Sequence, residues 1–310
     1  MKNIIKDLLA LSPRQDENLK KTEGYILSYL KRRGVKTYVE TFSVVIPQIT
    51  KATLMADGKN IVCLGCSFVG GKITSKDNIL SSTISSRYNI ELPNINFNPY
   101  SPKICRNNFY FAPAVAIARA DVAKVAKAKK VVGEVVVKKF KGNSSHVLAG
   151  NKRDPKNIVF AHYDAIGSGA IDNASGVAAC LYLIKNFPET LANTLFVFDG
   201  NEELSYDFPT YWGHGFRVFE KRHKALLEKA EKIIAVDCVG NGPTTTVSDI
   251  NILKYAFPIE NLLKWSPKIS TMYGDIPKLM KVYHSDSDNL GQLDEKFLRQ
   301  AVKVLRQKLV

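Results

Sequence analysis

The stretch IVFAHYDAIGSGAIDNASG, residues 158–176, carries the pattern that decides the fold. Four apolar residues, Ile158 to Ala161, run without interruption into the triplet His-Tyr-Asp. A loop of small residues then leads to Asp172 and to the start of a helix-forming segment. A short apolar run without charges is typical of a strand that is buried on both faces of a sheet. The stretch therefore predicts one strand-loop-helix unit of an α/β fold.

The same order recurs along the second half of the chain. Three further apolar runs predict strands, at Val131–Val137, Leu195–Phe198 and Ile233–Val236. Helical segments are predicted at Gly176–Phe187, Phe216–Lys232 and Glu295–Leu309, and Asp294 is a suitable N-cap for the last of them. The alternation of buried strands with helices predicts an α/β sheet.

The first 130 residues have a different character. The spacing of apolar residues predicts helices over 1–12 and 16–33, followed by a strand over 35–46. From residue 47 to about residue 130, short β-type runs alternate with clusters of Gly, Ser, Asn and Pro. We therefore expect a discontinuous catalytic domain, 1–46 with 131–310, and an inserted β-rich module at 47–130.

Charge and cysteine content limit the cellular setting. The 310 residues carry 44 Lys and Arg against 29 Asp and Glu, a formal net charge of +15. Such a charge fits either a lysine-rich surface or a protein that binds nucleic acid or another acidic partner. No run is long and apolar enough to span a bilayer, and the N-terminus lacks a secretory core. The five cysteines are an odd number, so we expect reduced thiols and a cytoplasmic protein.

Residue types that can bind metals or carry protons follow most of the apolar runs. They are His162 and Asp164, Glu202 and Glu203, Asp237, and His284 after the run Met280–Tyr283, while Asp172 opens the helix after the first run. The carboxyl ends of strands in an open α/β sheet meet at one edge, so these groups can converge. Crowded carboxylates and imidazoles repel and desolvate one another unless cations neutralise them. Imidazole with carboxylate suits zinc, with cobalt or manganese as substitutes, and two ions sharing a bridging carboxylate are typical of hydrolases.

The ordered set of motifs resembles metallopeptidase family twenty-eight, which includes two-zinc aminopeptidases and, more distantly, glutamate carboxypeptidase and glutaminyl cyclase. The matching elements are His-x-Asp from His162, GAxDNASG over 169–176, Glu202-Glu203, Asp237-x-x-Gly240, and YHSxxD over 283–288. They cover about residues 155–308, half of the chain. The resemblance implies a three-layer αβα sandwich around a mixed, mostly parallel sheet with a small inserted module. Residues 111–121 are similar to the closing segment of protease-associated modules, which would make 47–130 a lid.

The resemblance also assigns roles to individual residues. It implies that one zinc ion is held by His162 and Asp237, the other by Glu203 and His284, and that Asp172 bridges the two. It implies that Glu202 is the catalytic base, and that Asp164 and Asp288 orient the two imidazoles, with Asp164 counted among the catalytic residues. Spacing alone does not separate Glu202 from Glu203 as base and ligand. His146, His214 and His223 lie outside the pattern and are expected to be structural, and Asp199 is not part of it either.

The expected function is a metal-dependent exopeptidase, most directly an aminopeptidase that acts on peptides. The alternatives on the same fold are a carboxypeptidase and a glutaminyl-cyclase-like acyltransferase, the latter typically with one zinc. A non-enzyme alternative is a nucleic-acid or acidic-partner binding protein on a retained peptidase fold. Neither a specific nucleic acid nor a membrane is expected as a partner, and a homo-oligomer remains open. The residues Leu204–Trp212 depart from the family pattern, so the substrate pocket beside them is expected to be reshaped.

Overall fold

The chain forms ten helices and thirteen strands within the part that the structure, a computed structural model, describes: residues 1–74, 80–82 and 90–309. The strands are β1 (Thr37–Ala56), β2 (Lys59–Asn60), β3 (Cys63–Gly65), β4 (Gly71–Ile73), β5 (Leu80–Ser82), β6 (Asn94–Phe97), β7 (Ala114–Ile117), β8 (Val131–Gly150), β9 (Asn157–His162), β10 (Thr194–Asp199), β11 (Lys232–Val236), β12 (Thr245–Val247) and β13 (Ile269–Tyr273). The helices are α1 (Lys2–Leu9), α2 (Asp16–Lys31), α3 (Val122–Lys127), α4 (Ser175–Asn186), α5 (His214–Arg222), α6 (Lys224–Lys229), α7 (Ile250–Ala256), α8 (Leu262–Trp265), α9 (Ile276–Met280) and α10 (Glu295–Leu309).

The chain divides into two compact units. The first comprises residues 1–44, 143–279 and 288–310, and the second comprises residues 45–142 and 280–287. The sequence predicts that residues 45–46, 131–142 and 280–287 belong to the catalytic domain, whereas by their contacts they cluster with the second unit.

The first unit is built on a sheet with the strand order β12-β13-β11-β9-β10-β8. Strands β13, β11, β9 and β10 are parallel to one another, and β12 and β8 pair antiparallel at the two sides of this group. The parallel strands are buried along most of their length, which explains their uninterrupted apolar sequences. The expected mixed, mostly parallel sheet is therefore confirmed.

Helices cover both faces of this sheet. Alternate strand residues such as Ile158, Phe160 and Val197 share one core cluster with residues of three helices: Phe216 and Phe219 of α5, Leu253 of α7 and Trp265 of α8. The opposite face packs against α4, which in turn contacts α1 and α10. The result is the three-layer α/β fold that was expected.

Two local predictions were wrong in detail. The helix predicted over Phe216–Lys232 is two helices, α5 and α6, because His223 between them has non-helical backbone angles and its Nε2 lies 2.5 Å from Oε2 of Glu40. The apolar run Met280–Tyr283 is not a strand but the end of α9 followed by turns. The strand at that point in the fold is β13, some ten residues earlier.

The second unit is β-rich, as expected for an inserted module. It contains a four-stranded sheet with the order β3-β7-β6-β5. Its core consists of aliphatic residues such as Leu54, Ile95, Val115 and Val135. The segment Met280–Ser287 is attached to this unit through backbone contacts, including the Arg106 N–H, which donates to the His284 carbonyl at 3.2 Å.

Candidate metal centre

The site forms where the parallel strands of the first unit end. His162 is the last residue of β9, and the parallel register of β11 with β9 brings Asp237, one residue beyond β11, level with it. Glu202 and Glu203 lie in the loop that follows β10, the strand on the other side of β9. Chain order and strand register therefore bring these residues to one edge, as the sequence analysis expected.

His162 lies at the centre of this group. Its Nε2 is 3.2 Å from Oδ1 of Asp172 and 3.3 Å from Oδ1 of Asp237, and its Nδ1 is 3.3 Å from Oδ1 of Asp164. Burial by itself lowers the pKa of His162. The charge of Asp237 and the hydrogen bonds to the three carboxylates outweigh burial and raise this pKa well above its usual value. The pocket thus favours a positive charge at Nε2, where either a proton or a metal ion can supply it.

Asp172 is held in a turn that fixes its carboxylate. Both oxygens of Asp288 accept hydrogen bonds from backbone N–H groups, from Ile171 at 2.8 Å and from Asp172 at 3.1 Å. Gly169 opens the turn with a φ of 65°, and a Cβ there would lie 2.3 Å from the Asp172 carbonyl oxygen. The peptide bond between Asp172 and Asn173 is cis. The small residues that the sequence shows around Asp172 are therefore a geometric requirement of the turn.

Glu202 and Glu203 are fixed through their backbone. The Glu202 N–H donates to Oδ1 of Asp164 at 3.0 Å, and the Glu203 N–H donates to Oδ2 of the same carboxylate at 2.9 Å. Glu203 is buried, whereas Glu202 is partly exposed. Burial and the neighbouring charges of Glu203 and Asp237 raise the pKa of Glu202 well above its usual value, although His162 acts in the opposite direction. A partly exposed carboxyl group with a raised pKa is suited to moving protons near neutral pH.

The donor atoms fit a metal ion. Ligand atoms of His162, Asp172 and Glu203 all lie within 4.8 Å of one another, and so do those of Asp172, Asp237 and Cys238. Zinc binds nitrogen and oxygen at about 2.0–2.1 Å in tetrahedral sites, which places two ligands of one ion about 3.3 Å apart. The distances from Nε2 of His162 to Asp172 and Asp237 match this spacing. Asp172 belongs to both groups, as a bridging carboxylate would.

Cys238 was not among the residues predicted for the site. Its Sγ lies 3.2 Å from Oδ1 of Asp237. Burial and the charges of Asp172 and Asp237 raise the pKa of its thiol well above the usual value. The only sequence signal was that Cys238 directly follows a predicted ligand.

Arg14 was missed because nothing in its sequence neighbourhood indicates a site. It follows the first helix in the sequence Leu-Ser-Pro-Arg, yet its side chain is 0% exposed. Its guanidinium donates to the carbonyl oxygens of Tyr163 at 2.7 Å, Ser168 at 3.1 Å and Gly169 at 3.0 Å. The loop between His162 and Asp172 is therefore built around a buried positive charge.

His284 lies in the second unit. It has a positive φ of 51°, and its Nδ1 is 3.0 Å from the Arg106 carbonyl oxygen. If Nδ1 carries the proton shared with that carbonyl, Nε2 is the atom that can bind a metal. The assignment of His284 as a metal ligand, and of Asp288 as the residue that orients it, remains a prediction.

The other three histidines have contacts of their own in the first unit. His146 is buried against Phe42 and Phe219, and its Nε2 is 2.9 Å from the Gly215 carbonyl oxygen and 3.5 Å from Asp199. His214 lies 2.8 Å from Asp207, and His223 contacts Glu40. None of them belongs to a group of metal-binding atoms within the described part of the chain.

The insert after the Glu pair contains aromatic residues in different environments. Phe208 is 80% exposed. Tyr211 and Trp212 pack edge to face with ring centres 5.0 Å apart, and Trp212 Nε1 donates to the Tyr255 carbonyl at 3.0 Å. That this insert reshapes a substrate pocket remains a prediction.

Comparison with known proteins supports the same interpretation. Residues 143–288 match the model of peptidase family M28. A comparison with curated protein sequences finds no match to the chain. Among solved structures, similarity extends to a peptidase M28 precursor from Shewanella amazonensis, with 18% identity, a TM-score of 0.72 and coverage of 99% of this chain and 91% of that one.

Two further structures are similar at lower identity. A zinc aminopeptidase from Bacillus subtilis has 14% identity and a TM-score of 0.69, with coverage of 98% of this chain and 92% of that one. A glutaminyl cyclase from Porphyromonas gingivalis has 12% identity and a TM-score of 0.54, with coverage of 99% and 95%. These likenesses show the fold, and the family match covers every metal-binding residue predicted from the sequence. The match to peptidase family M28 thus lies in residues 143–288, the part of the chain whose motifs predicted a metallopeptidase.

Proposed function

We propose that this protein is a zinc-dependent aminopeptidase that uses two zinc ions and Glu202 as the catalytic base. The observation that carries the proposal is that the carboxylate of Asp164 accepts hydrogen bonds from the backbone N–H groups of both Glu202 and Glu203. Two adjacent carboxylates are thereby given different surroundings. Glu203 is buried within reach of His162 and Asp172, and Glu202 is partly exposed.

The residues that would hold the ions follow from this arrangement. His162 and Asp237 would bind one ion, Glu203 and His284 the other, and Asp172 both. The contacts among His162, Asp172, Asp237 and Glu203 support their part of this set. Zinc, when bound, lowers the pKa of a coordinated water to about 7 and polarises a carbonyl oxygen.

The protein's own residues supply the proton transfer. Glu202 accepts a proton from the attacking water and then donates it to the nitrogen of the leaving amine. Its raised pKa suits both steps near neutral pH. Asp164 keeps His162 in one orientation and keeps the Glu202 backbone in place.

The charge of the site favours a free amino terminus over a free carboxylate. Carboxylates surround the centre and attract the ammonium group of a peptide. A carboxypeptidase would need a cation directed at the substrate. Arg14 is not available to bind a substrate carboxylate, because its N–H groups already donate to carbonyl oxygens of the loop between His162 and Asp172.

Hydrolysis of a panel of aminoacyl chromogenic amides, with and without a chelator, tests the proposal. We expect activity that is lost with the chelator and restored by zinc or cobalt. A peptide with an N-terminal glutamine and a peptide with a blocked amino terminus complete the panel. Cyclisation of the glutamine peptide without amide hydrolysis would assign the protein to the acyltransferase class instead. Cleavage of the blocked peptide from its carboxyl end would make it a carboxypeptidase.

A further inference from the structure

Cys238 occupies a fixed position beside the metal centre. Its N–H donates to Oδ1 of Asn173 at 3.3 Å, and its carbonyl accepts from the Gly274 N–H at 2.9 Å. Its φ of 56° lies in the left-handed region, which non-glycine residues rarely adopt. The backbone is thus held on both sides, and the side chain is buried within the first unit.

The thiol shares its neighbours with His162. Oδ1 of Asp237 is 3.3 Å from Nε2 of His162 and 3.2 Å from Sγ of Cys238. Ligand atoms of Asp172, Asp237 and Cys238 also form one group within 4.8 Å. Asp172 and Asp237 therefore lie close to both the imidazole nitrogen of His162 and the sulfur atom of Cys238.

These spacings agree with a common ion. Zinc–sulfur bonds are about 2.3 Å and zinc–oxygen bonds about 2.0–2.1 Å, so a sulfur and an oxygen bound to one tetrahedral zinc lie about 3.5 Å apart. The observed Sγ to Oδ1 distance is close to this value.

We propose that Cys238 is a ligand of the metal ion held by His162, Asp172 and Asp237. This inference rests on the metal centre of the proposed function. On binding, the S–H bond breaks, its proton leaves to solvent, and a sulfur–metal bond forms with the electron pair of the thiolate. Since thiolate ligands favour zinc over manganese, Cys238 would make this position selective for zinc.

Cobalt spectroscopy of the full-length protein tests the inference without measuring activity. A thiolate bound to Co²⁺ gives intense near-ultraviolet charge-transfer absorption, while the visible bands report cobalt binding whatever the ligands. We expect both sets of bands in the wild-type protein. Cys238→Ser should lose the near-ultraviolet band, bind zinc about tenfold or more weakly, and discriminate less between zinc and manganese.

Two matched variants control for the other thiols. Cys180→Ala removes a fully buried cysteine from α4, and Cys63→Ser disrupts the only C-x-x-C pair of the sequence. Both should keep the near-ultraviolet band. Loss of the band in Cys63→Ser with retention in Cys238→Ser would overturn the inference.

X-ray absorption of the zinc-loaded Cys63→Ser protein decides the matter even if Cys238→Ser does not fold. A sulfur shell at about 2.3 Å is expected, and a shell of nitrogen and oxygen alone would overturn the inference. Amide hydrolysis by a protein with a nitrogen and oxygen shell would leave the proposed function intact. A sulfur shell without hydrolysis of any panel substrate would overturn the proposed function and leave the role of Cys238 intact.

Discussion

The carboxylate of Asp164 lies 3.3 Å from Nδ1 of His162, two residues earlier in the chain. The same carboxylate accepts hydrogen bonds from the N–H groups of Glu202 and Glu203. One side chain therefore connects the end of β9 to the loop after β10. A change at Asp164 should therefore affect the proposed metal ligand His162 and the proposed base Glu202 together.

Replacing Asp164 should weaken metal binding more than it disturbs the fold. Asp164→Asn keeps one acceptor oxygen but exchanges the other for a donor, which faces a backbone N–H. We expect zinc affinity to fall about 10–100-fold, as for other residues that orient a metal ligand. Competition titration with a chromogenic chelator measures this, and unchanged affinity would show that Asp164 does not orient His162.

Substitution of Glu202 should remove turnover, whereas substitution of Glu203 should remove metal binding. Glu202→Gln should retain its metal and lose about 10²–10⁴-fold in turnover, because only the proton acceptor is removed. Glu203→Gln should lose metal, since a buried ligand is replaced. Metal content by elemental analysis, alongside amide hydrolysis, separates the two outcomes. Full activity in both variants would contradict the assigned roles.

Arg14 should stabilise the protein most when metal is absent. Arg14→Met leaves the carbonyl oxygens of Tyr163, Ser168 and Gly169 without their buried donor and removes a positive charge near four carboxylates. The expected cost is about 3–5 kcal/mol of unfolding free energy. Saturating zinc should reduce this cost, because the ions also neutralise the carboxylates.

Denaturant unfolding with and without zinc measures the effect of Arg14. Arg14→Lys keeps the charge with fewer donors and serves as the control, with an intermediate stability expected. An Arg14→Met protein that unfolds at the wild-type midpoint would contradict the stabilising role.

Metal removal should lower stability. A ligand present at 100 times its dissociation constant stabilises the folded state by about 2.7 kcal/mol. We therefore expect the melting temperature to fall on chelation and to recover with zinc. The same comparison of melting temperatures, with chelator and with zinc, is made on Glu203→Gln as the control. Its melting temperature should change less.

His146 should make the protein sensitive to acid. Burial lowers the pKa of His146 to about 3, although the Gly215 carbonyl acts in the opposite direction. Between about pH 3 and 6.5 the unfolded chain binds a proton that the folded protein does not, so this contribution to stability is lost as the pH falls. Burial also raises the pKa of nearby Asp199 to about 7, which gives a slope of opposite sign.

A variant isolates the His146 contribution from that of Asp199. His146→Gln should gain stability relative to wild type by up to about 1.4 kcal/mol for each pH unit below 6.5. Unfolding midpoints from pH 4 to pH 7 provide the comparison. His214→Gln removes a partly exposed imidazole and should show no such trend.

Much of the site could be predicted from the sequence, because its residues directly follow the strands that place them. The apolar run before His162 and the one before Asp237 each predicted a buried parallel strand, and the ends of such strands meet at one edge. The small residues around Asp172 similarly indicated a tight turn. In these cases the local pattern and the tertiary position have the same cause, the burial of β9 and β11 on both faces.

Only the tertiary structure shows which residues reach the site from partners that are distant in the chain. Arg14 reaches the site across about 150 positions of sequence, and no local pattern marks an arginine that will be buried beneath carboxylates. Cys238 was visible beside Asp237, but the direction of its thiol depends on a left-handed backbone held by Asn173 and Gly274. The sequence by itself determined the fold class and the strand ends at which His162 and Asp237 lie, because both follow from periodicity and local burial. The neutralising charge and the sulfur atom beside the centre depend on long-range packing, which sequence spacing does not encode.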